Sequence, residues 1–117
     1  MQTSVTKGRD HFDPASWSLR DWKQIAWETF TSDVLVCPTP AFLFSLWLSS
    51  NGSGEADGNI YDGHNVNALK VIWIFCSDNE QIQLSWFPPL YFAQGIYSNE
   101  GSNVKQMGFQ YLPAPRL

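Results

Sequence analysis

Cysteine, histidine and charged residues are scarce in this sequence. Its 117 residues include 2 cysteines and 2 histidines, and only 15% are charged, with a formal net charge of -4. The chain has only 7 lysine and arginine residues to neutralise phosphates, which argues against nucleic acid as a partner. Zinc sites need clusters of cysteine or histidine, which are missing. We therefore expect no cofactor.

Long apolar runs are also missing. Residues 1 to 30 have no continuous apolar stretch of the kind found in a signal peptide. No later segment approaches the roughly 20 apolar residues of a membrane span. We expect a protein that is made in a cytoplasm, stays soluble and has no membrane partner.

Residue sets for nucleophilic catalysis are absent from the sequence. The histidines, His11 and His64, have no strained nucleophile motif beside them. The cysteines, Cys37 and Cys76, fall in predicted strands, away from the electropositive exposure that a reactive thiolate needs. We predict no enzyme and no catalytic residue. The cysteines are interpreted as buried reduced thiols, with a cross-sheet disulfide as the alternative.

Aromatic and aliphatic residues are abundant, and many of them alternate with polar ones. Hydrophobic residues make up 44% of the chain, which contains 6 Trp and 8 Phe. Residues 41 to 49 alternate with period 2, which predicts a central strand with Phe42, Phe44, Leu46 and Leu48 on one face. Residues 69 to 76 are apolar on both faces, so that strand should be covered on both sides.

Two further segments alternate in the same way and fix the fold class. Residues 80 to 87 place Ile82, Leu84 and Trp86 inward, and residues 103 to 111 alternate around Phe109. About eight short strands with regular turn signals predict an all-β fold, a single jelly-roll-like antiparallel β-sandwich over residues 31 to 117.

Residues 1 to 30 are predicted to form an extended N-terminal arm, and its last six residues, 25 to 30, are predicted to be a short strand. A possible short helical turn covers residues 14 to 22, where Asp13 and Pro14 suit a helix start. Trp17, Trp22 and Trp27 give the arm a large aromatic surface that must be covered. The arm folds back on its own sandwich or lies on a neighbouring subunit, and both alternatives remain open.

Oxygen-bearing side chains cluster in one loop region of the sequence. Glu55, Asp57, Asn59, Asp62 and Asn65 fall within eleven residues and could bind calcium. Their spacing does not match a calcium loop, and the same residue types build turns. We interpret them as turn residues and predict no metal site.

Sugar binding is the alternative binding activity. Exposed Trp or Tyr rings on a sandwich can stack on pyranose faces, and Trp47 is the best candidate because it shares its face with Ser45 and Ser49. Trp73 and Trp86 lie on apolar faces, which favours a core or interface position.

The C-terminal two-thirds of the sequence carries a characteristic series of structural residues. A Gly-rich loop is followed by Asn59-Ile60-Tyr61-Asp62-Gly63, and later by Pro88-Pro89-Leu90-Tyr91-Phe92 and Gly95-Ile96-Tyr97. Over roughly residues 33 to 112 this resembles small virion proteins of tailed bacteriophages that fold as β-sandwiches. The resemblance implies a capsid decoration, cement or fibre-type role located on the virion, with assembly as the activity.

Surplus apolar surface supports an assembly role independently. An aromatic arm, a strand apolar on both faces and a low charge leave more apolar area than one small sandwich can cover. We expect a homo-oligomer that also contacts other virion proteins, such as the major capsid protein. The predicted interface residues are Trp17, Trp22, Trp27, Trp47 and Trp73. The alternative is a glycan- or receptor-binding module of a phage tail or fibre, with carbohydrate as the partner.

Overall fold

The computed structural model describes residues 26–114, which form eight β-strands. The strands are β1 (Ala26–Phe30), β2 (Val34–Cys37), β3 (Ala41–Ser50), β4 (Ala56–Asp62), β5 (Leu69–Cys76), β6 (Gln81–Phe92), β7 (Ile96–Glu100) and β8 (Val104–Pro113). The helical turn predicted over residues 14 to 22 and most of the predicted arm lie outside the described residues.

The strands form two four-stranded antiparallel sheets. Sheet 1 has the order β1-β8-β3-β6, and sheet 2 has the order β2-β7-β4-β5. Consecutive strands alternate between the sheets at several points, which is the double Greek-key arrangement of a jelly roll. The predicted all-β jelly-roll-like sandwich is therefore confirmed.

Strand β1 belongs to sheet 1, and it lies in the segment that was predicted as a short strand at the end of the arm. It pairs antiparallel with β8, with Trp27 opposite Gln110 and Phe30 opposite Met107. Phe30 packs inward against Phe109, with ring centroids 6.0 Å apart. This inward contact fixes which residues of β1 face outward, and Trp27 is one of them.

A β-bulge in β3 reverses the predicted alternation of that strand. Pairing with β8 shifts between Leu43 and Ser45, so that Phe44 is an extra residue. Leu43 and Leu46 consequently both reach the main core, whereas Phe42 packs with Leu112 in a second cluster. The prediction that Phe42 and Leu46 share a face is wrong, because one inserted residue moves the following side chains to the opposite face.

The main core lies between the two sheets. Its buried side chains come from the seven strands β2 to β8, and the fully enclosed ones include Leu46, Leu48, Ile60, Ile96 and Phe109. Ile82, Leu84 and Trp86 of β6 pack against it, as the alternation predicted. The core therefore fixes the outward direction of the intervening residues on β3, β6 and β8.

The two cysteines are free and buried. Cys37 is 3% exposed and Cys76 is 6% exposed. Burial raises the pKa of the Cys76 thiol. The interpretation as buried reduced thiols is confirmed, and the thiols have none of the features of a reactive site.

Candidate functional site

The outer face of sheet 1 is an uncharged surface that carries two tryptophans. Strand register places Trp47 between Gly108 of β8 and Gln83 of β6, and Thr29 of β1 lies beyond Gly108. A neighbouring row contains Trp27, Gln110, Ser45 and Ser85. We call this surface the indole face. Its residues are Trp27, Thr29, Ser45, Trp47, Ser49, Gln81, Gln83, Ser85, Gln106, Gly108 and Gln110.

Gly108 makes room for the Trp47 side chain. A Cβ atom at Gly108 would lie 1.5 Å from Nε1 of Trp47, a distance that no side chain can tolerate. The pyrrole part of the indole therefore occupies the space directly above the glycine. Glycine inside a strand often marks a close approach of this kind.

Trp27 and Trp47 line one groove on the indole face. The groove has a volume of about 430 Å³, and its other lining residues are Thr29, Gln81 and Gln83. Trp27 is 43% exposed although it lies within a strand. The groove thus combines two indoles with amide and hydroxyl groups.

A second, polar cavity continues from the groove at the loop end of the sheet. It has a volume of about 540 Å³ and shares Gln81 with the groove. Its lining residues are Ser49, Ser50, Asn51, Asn79, Glu80, Gln81 and Lys105. Among residues 26–114, the ionisable groups that line either cavity are Glu80 and Lys105, and both lie in this second cavity.

The polar floor of the indole face is ordered by internal contacts. The hydroxyl groups of Ser45 and Ser85 are 2.8 Å apart and form a hydrogen bond across β3 and β6. Ser45 is 6% exposed. On the opposite, core-facing side of sheet 1, the Tyr111 hydroxyl shares its one proton between the Glu28 carboxylate and the Val36 carbonyl of β2, 3.2 Å away. Burial, followed by the contact with Glu28, raises the pKa of Tyr111.

Strand β5 carries a different aromatic surface. Four of its large apolar side chains are exposed, and we call them the β5 strip: Leu69 (73%), Val71 (45%), Trp73 (59%) and Phe75 (45%). The rings of Trp73 and Phe75 contact each other, with centroids 4.8 Å apart. Ile74 and Cys76 on the same strand are buried, so Trp73 and Phe75 point away from the core.

The backbone of β5 forms one edge of sheet 2. Among the strands of residues 26–114 it pairs only with β4, with Trp73 opposite Asn59. Asn59 in turn contacts Asn99 of β7 through the side-chain amides. An open strand edge offers unpaired backbone groups to another chain, and here it lies beside an apolar strip with polar neighbours. Sequence analysis expected this strand to be covered on both sides, and within the described residues its outer side is exposed.

The predicted site residues are divided between these surfaces. Trp27 and Trp47 meet on the indole face, although they are twenty residues apart, and Trp73 lies on the other sheet. Trp17 and Trp22 lie outside the described residues. Sequence analysis did not assign Gln81, Gln83 or Gly108 to a site, although a glycine within a strand was a usable signal for the last of these.

The acidic and amide residues of the 55-to-65 region support turns. The Asp62 carboxylate accepts hydrogen bonds from the backbone amides of Ala93 and Gln94. Asp57 accepts from the amide of Ser102, and Asn65 accepts from the amide of Asn67. The interpretation as turn residues agrees with these contacts. Within the described part of the chain, no three potential metal ligands of the His, Cys, Asp and Glu type lie together.

His64 holds two loops together. Its Nε2 atom lies 2.9 Å from the Pro38 carbonyl and 3.0 Å from the Gln94 carbonyl. A neutral or protonated ring can donate one hydrogen bond from Nε2, shared between these acceptors. The ring therefore serves the packing of the loops that precede β3 and β7.

Sheet 2 also contains a carboxyl group in an unusual environment. Glu100 has one carboxylate oxygen, Oε2, that is buried without a hydrogen-bond partner in the described structure. Burial raises the pKa of Glu100, and the neighbouring Asp33 carboxylate raises it further. Asp33 itself accepts from the Glu100 amide at 2.7 Å and from the Asn99 side chain at 3.0 Å. The group lies on sheet 2, away from the indole face.

No helix within residues 26–114 has the length and apolar character needed to cross a membrane. Comparisons of the chain with protein-family models, with curated proteins and with solved structures give no match. The two surfaces of the sandwich therefore have to be interpreted from their own chemistry.

Proposed function

We propose that this protein is a bacteriophage virion structural protein, of the capsid decoration, cement or minor capsid type, which acts by subunit-subunit assembly. The observation that carries the proposal is the β5 strip. Four large apolar side chains are exposed along one strand, and among residues 26–114 the backbone edge of that strand pairs with no other strand. A protein that functions alone gains nothing from such a surface and is exposed to aggregation by it.

The occupant of the strip is a second copy of this chain. Pairing of β5 with β5 of another copy, in antiparallel fashion, would extend sheet 2 across the contact and satisfy the unpaired backbone groups. In antiparallel pairing the same-face residues of the two strands lie opposite each other, so Trp73 and Phe75 of one copy would pack beside the same residues of the other copy. A two-fold contact of this kind is the commonest route to a symmetric oligomer.

The virion location is supported by analogy and by the sequence pattern. Jelly rolls are a common architecture of viral capsid proteins, although they also occur in lectins, so the fold alone does not assign a role. The resemblance to small tailed-phage virion proteins over residues 33 to 112 favours the capsid role. The low charge of the chain is compatible with contacts to other proteins of a particle.

Two measurements test the proposal. Sedimentation equilibrium of the full chain should give a concentration-dependent mass above the 13.3 kDa of one chain. Replacement of Trp73 and Phe75 by serine should return the mass to 13.3 kDa, whereas Trp27→Ser, at an equally aromatic but distant surface, should not.

Mass spectrometry of DNA-containing particles, purified from cells that carry the gene, should detect this chain at a fixed ratio to the major capsid protein. Absence from the particles would contradict the virion role.

A further inference from the structure

We infer that the indole face is a binding site for a neutral oligosaccharide. This inference goes beyond the assembly role and does not depend on it. It rests on the composition of the groove, on the way that Trp47 is held, and on the size of the surface.

The composition of the groove selects an uncharged, hydroxyl-rich ligand. None of the five residues that line it is ionisable, and three of them present amide or hydroxyl groups that can both donate and accept hydrogen bonds. Sugars offer the matching chemistry, because each ring has apolar C–H faces and a rim of hydroxyl groups. Indole rings cover the apolar faces, and amides pair with the hydroxyl groups.

An acidic or basic ligand would find no partner in the groove. Glu80 and Lys105, which carry opposite charges, line the neighbouring cavity and not the groove itself. The charges of a peptide or a nucleic acid would therefore stay unpaired on the indole face. The two indoles therefore favour a neutral carbohydrate over a charged polymer.

The Trp47 side chain is fixed before any ligand arrives. Glycine at position 108 lets the indole lie across β8, where any Cβ would collide with it. On one side Trp47 is also flanked by Gln83 of β6, at the register position opposite. A binding ring that is already held loses little conformational freedom on binding, which improves affinity.

The dimensions suit several sugar units. Residues on one face of a strand repeat about every 7 Å, so Ser45, Trp47 and Ser49 span about 14 Å along β3. The groove alone has a volume of about 430 Å³, within the usual range of ligand sites. Because Gln81 also lines the second cavity, a longer chain could continue from the groove toward the loop at Asn51. The ligand is therefore an oligosaccharide and not a single sugar.

The test uses the full chain on an array of neutral and acidic glycans, followed by calorimetric titration with the neutral hexasaccharide that binds best. We expect binding to neutral glycans and quenching or a shift of tryptophan fluorescence on titration. Trp47→Ala and Trp27→Ala should each weaken binding by at least about tenfold. Trp73→Ala, an equally large change on sheet 2, should leave it unchanged. Trp47→Phe, which keeps an aromatic ring, should retain part of the affinity.

Several outcomes would overturn the inference. These are binding to no glycan on the array, a preference for acidic glycans, and unchanged affinity of folded Trp27→Ala and Trp47→Ala variants. Melting curves of each variant distinguish loss of the site from loss of the fold. Binding by a chain without residues 1–25, but not by the full chain, would mean that the N-terminal segment occupies the groove, and it would also overturn the inference.

Discussion

The indole face and the β5 strip are equally rich in large rings, but their neighbours differ. Around Trp27 and Trp47 the adjacent side chains are glutamine, serine and threonine, and a glycine holds one indole in position. Around Trp73 the adjacent exposed residues are Phe75, Val71 and Leu69, on a strand with an open edge. Side chains of the indole face can form hydrogen bonds with the hydroxyl groups of a ligand. Side chains of the β5 strip can only bury apolar area against a partner.

This difference explains why the number of tryptophans in the sequence does not by itself define a function. When another apolar surface covers apolar side chains, the contact is stabilised by about 25 cal/mol per Å² of apolar area buried. Amide and hydroxyl neighbours lose hydrogen bonds to water unless the ligand replaces them. Assembly is therefore proposed for the β5 strip and ligand binding for the indole face, and substitutions on one surface should leave the role of the other unchanged.

The largest effect is expected from the double replacement Trp73→Ser and Phe75→Ser. Central aromatic residues of an interface contribute about 2 kcal/mol or more each when truncated, which raises the dissociation constant by about 30-fold for one residue, and the double replacement should raise it further. Sedimentation equilibrium measures this change directly. The free energy of unfolding of the dissociated chain should change by less than about 0.5 kcal/mol per site, because both rings are exposed.

The matched control for this prediction is Trp27→Ser on the indole face. It removes a ring of the same size and should leave the dissociation constant between copies unchanged. An equal loss of assembly in both variants would mean that the β5 strip has no special role.

The next largest effect should come from Gly108→Ala. The added methyl group collides with Trp47, and overpacking of this kind costs about 1–3 kcal/mol. Urea denaturation measures the free energy of unfolding, and neutral hexasaccharide binding should weaken at the same time. Assembly through β5 should persist at concentrations where the variant is folded.

A double replacement isolates the cause of the Gly108 effect. In the Trp47→Ala background the collision partner is gone, so Gly108→Ala should cost much less than in the original chain. The difference between the two costs is the interaction energy of the pair. If the cost is the same in both backgrounds, Trp47 does not determine the need for glycine.

The parts of the fold that could be predicted from the sequence are those that depend on residues close together in the chain. Alternation within β6 and β8 was sufficient to place Phe109 in the core and Ile82 against it, because a strand with one buried face repeats every two residues. The bulge at Phe44 was not predictable, since one inserted residue has no signature in the pattern of residues 41 to 49. Its effect was to place Phe42 and Leu46 on opposite faces.

The candidate site was less predictable than the fold. The meeting of Trp27 with Trp47 depends on the register of β1 against β8 and of β8 against β3. Neither register can be obtained from a single sequence, because pairing of distant strands is decided by the whole core. The separation of Trp73 from these two residues follows from the same topology.

A smaller effect is expected from Tyr111→Phe. The change removes the hydrogen bonds to Glu28 and to the Val36 carbonyl, which tie β1 and β2 to β8. We expect a loss of about 1 kcal/mol in the free energy of unfolding. Because β1 carries Trp27, hexasaccharide binding should weaken slightly, while self-association should not change.

The control for this prediction is Tyr97→Phe on sheet 2. Its ring packs against Tyr61, and within the described residues its hydroxyl makes no hydrogen bond. The free energy of unfolding of this variant should stay within about 0.5 kcal/mol of the original. A loss equal to that of Tyr111→Phe would contradict the role given to the Glu28 contact.

The smallest effect concerns Glu100 and its dependence on pH. Folding raises the pKa of this carboxyl above its usual value of 4.5, so the folded chain holds the proton to higher pH than the unfolded chain. Stability from this group is fully present below that value and is lost as the pH rises through the raised pKa. Glu100→Gln should therefore increase the melting temperature at pH 7 and leave it nearly unchanged at pH 4.

The expected gain at pH 7 is less than about 1 kcal/mol, because Glu100 is partly exposed and solvent screens its charge. Glu55→Gln, which replaces an exposed carboxylate of the same type, serves as the control for the loss of one negative charge. Equal melting curves for Glu100→Gln and the original chain at both pH values would contradict the burial effect.

The most direct test of two separate faces is sedimentation velocity of the full chain with a fluorescently labelled neutral hexasaccharide. Absorbance reports the assembly state, and fluorescence reports whether the sugar travels with the protein. We predict that Trp73→Ser/Phe75→Ser sediments as a single 13.3 kDa chain with bound sugar, and that Trp27→Ser sediments as an oligomer without it. A variant pair in which both properties are lost together, or in which neither changes, would contradict the division of roles between the two faces.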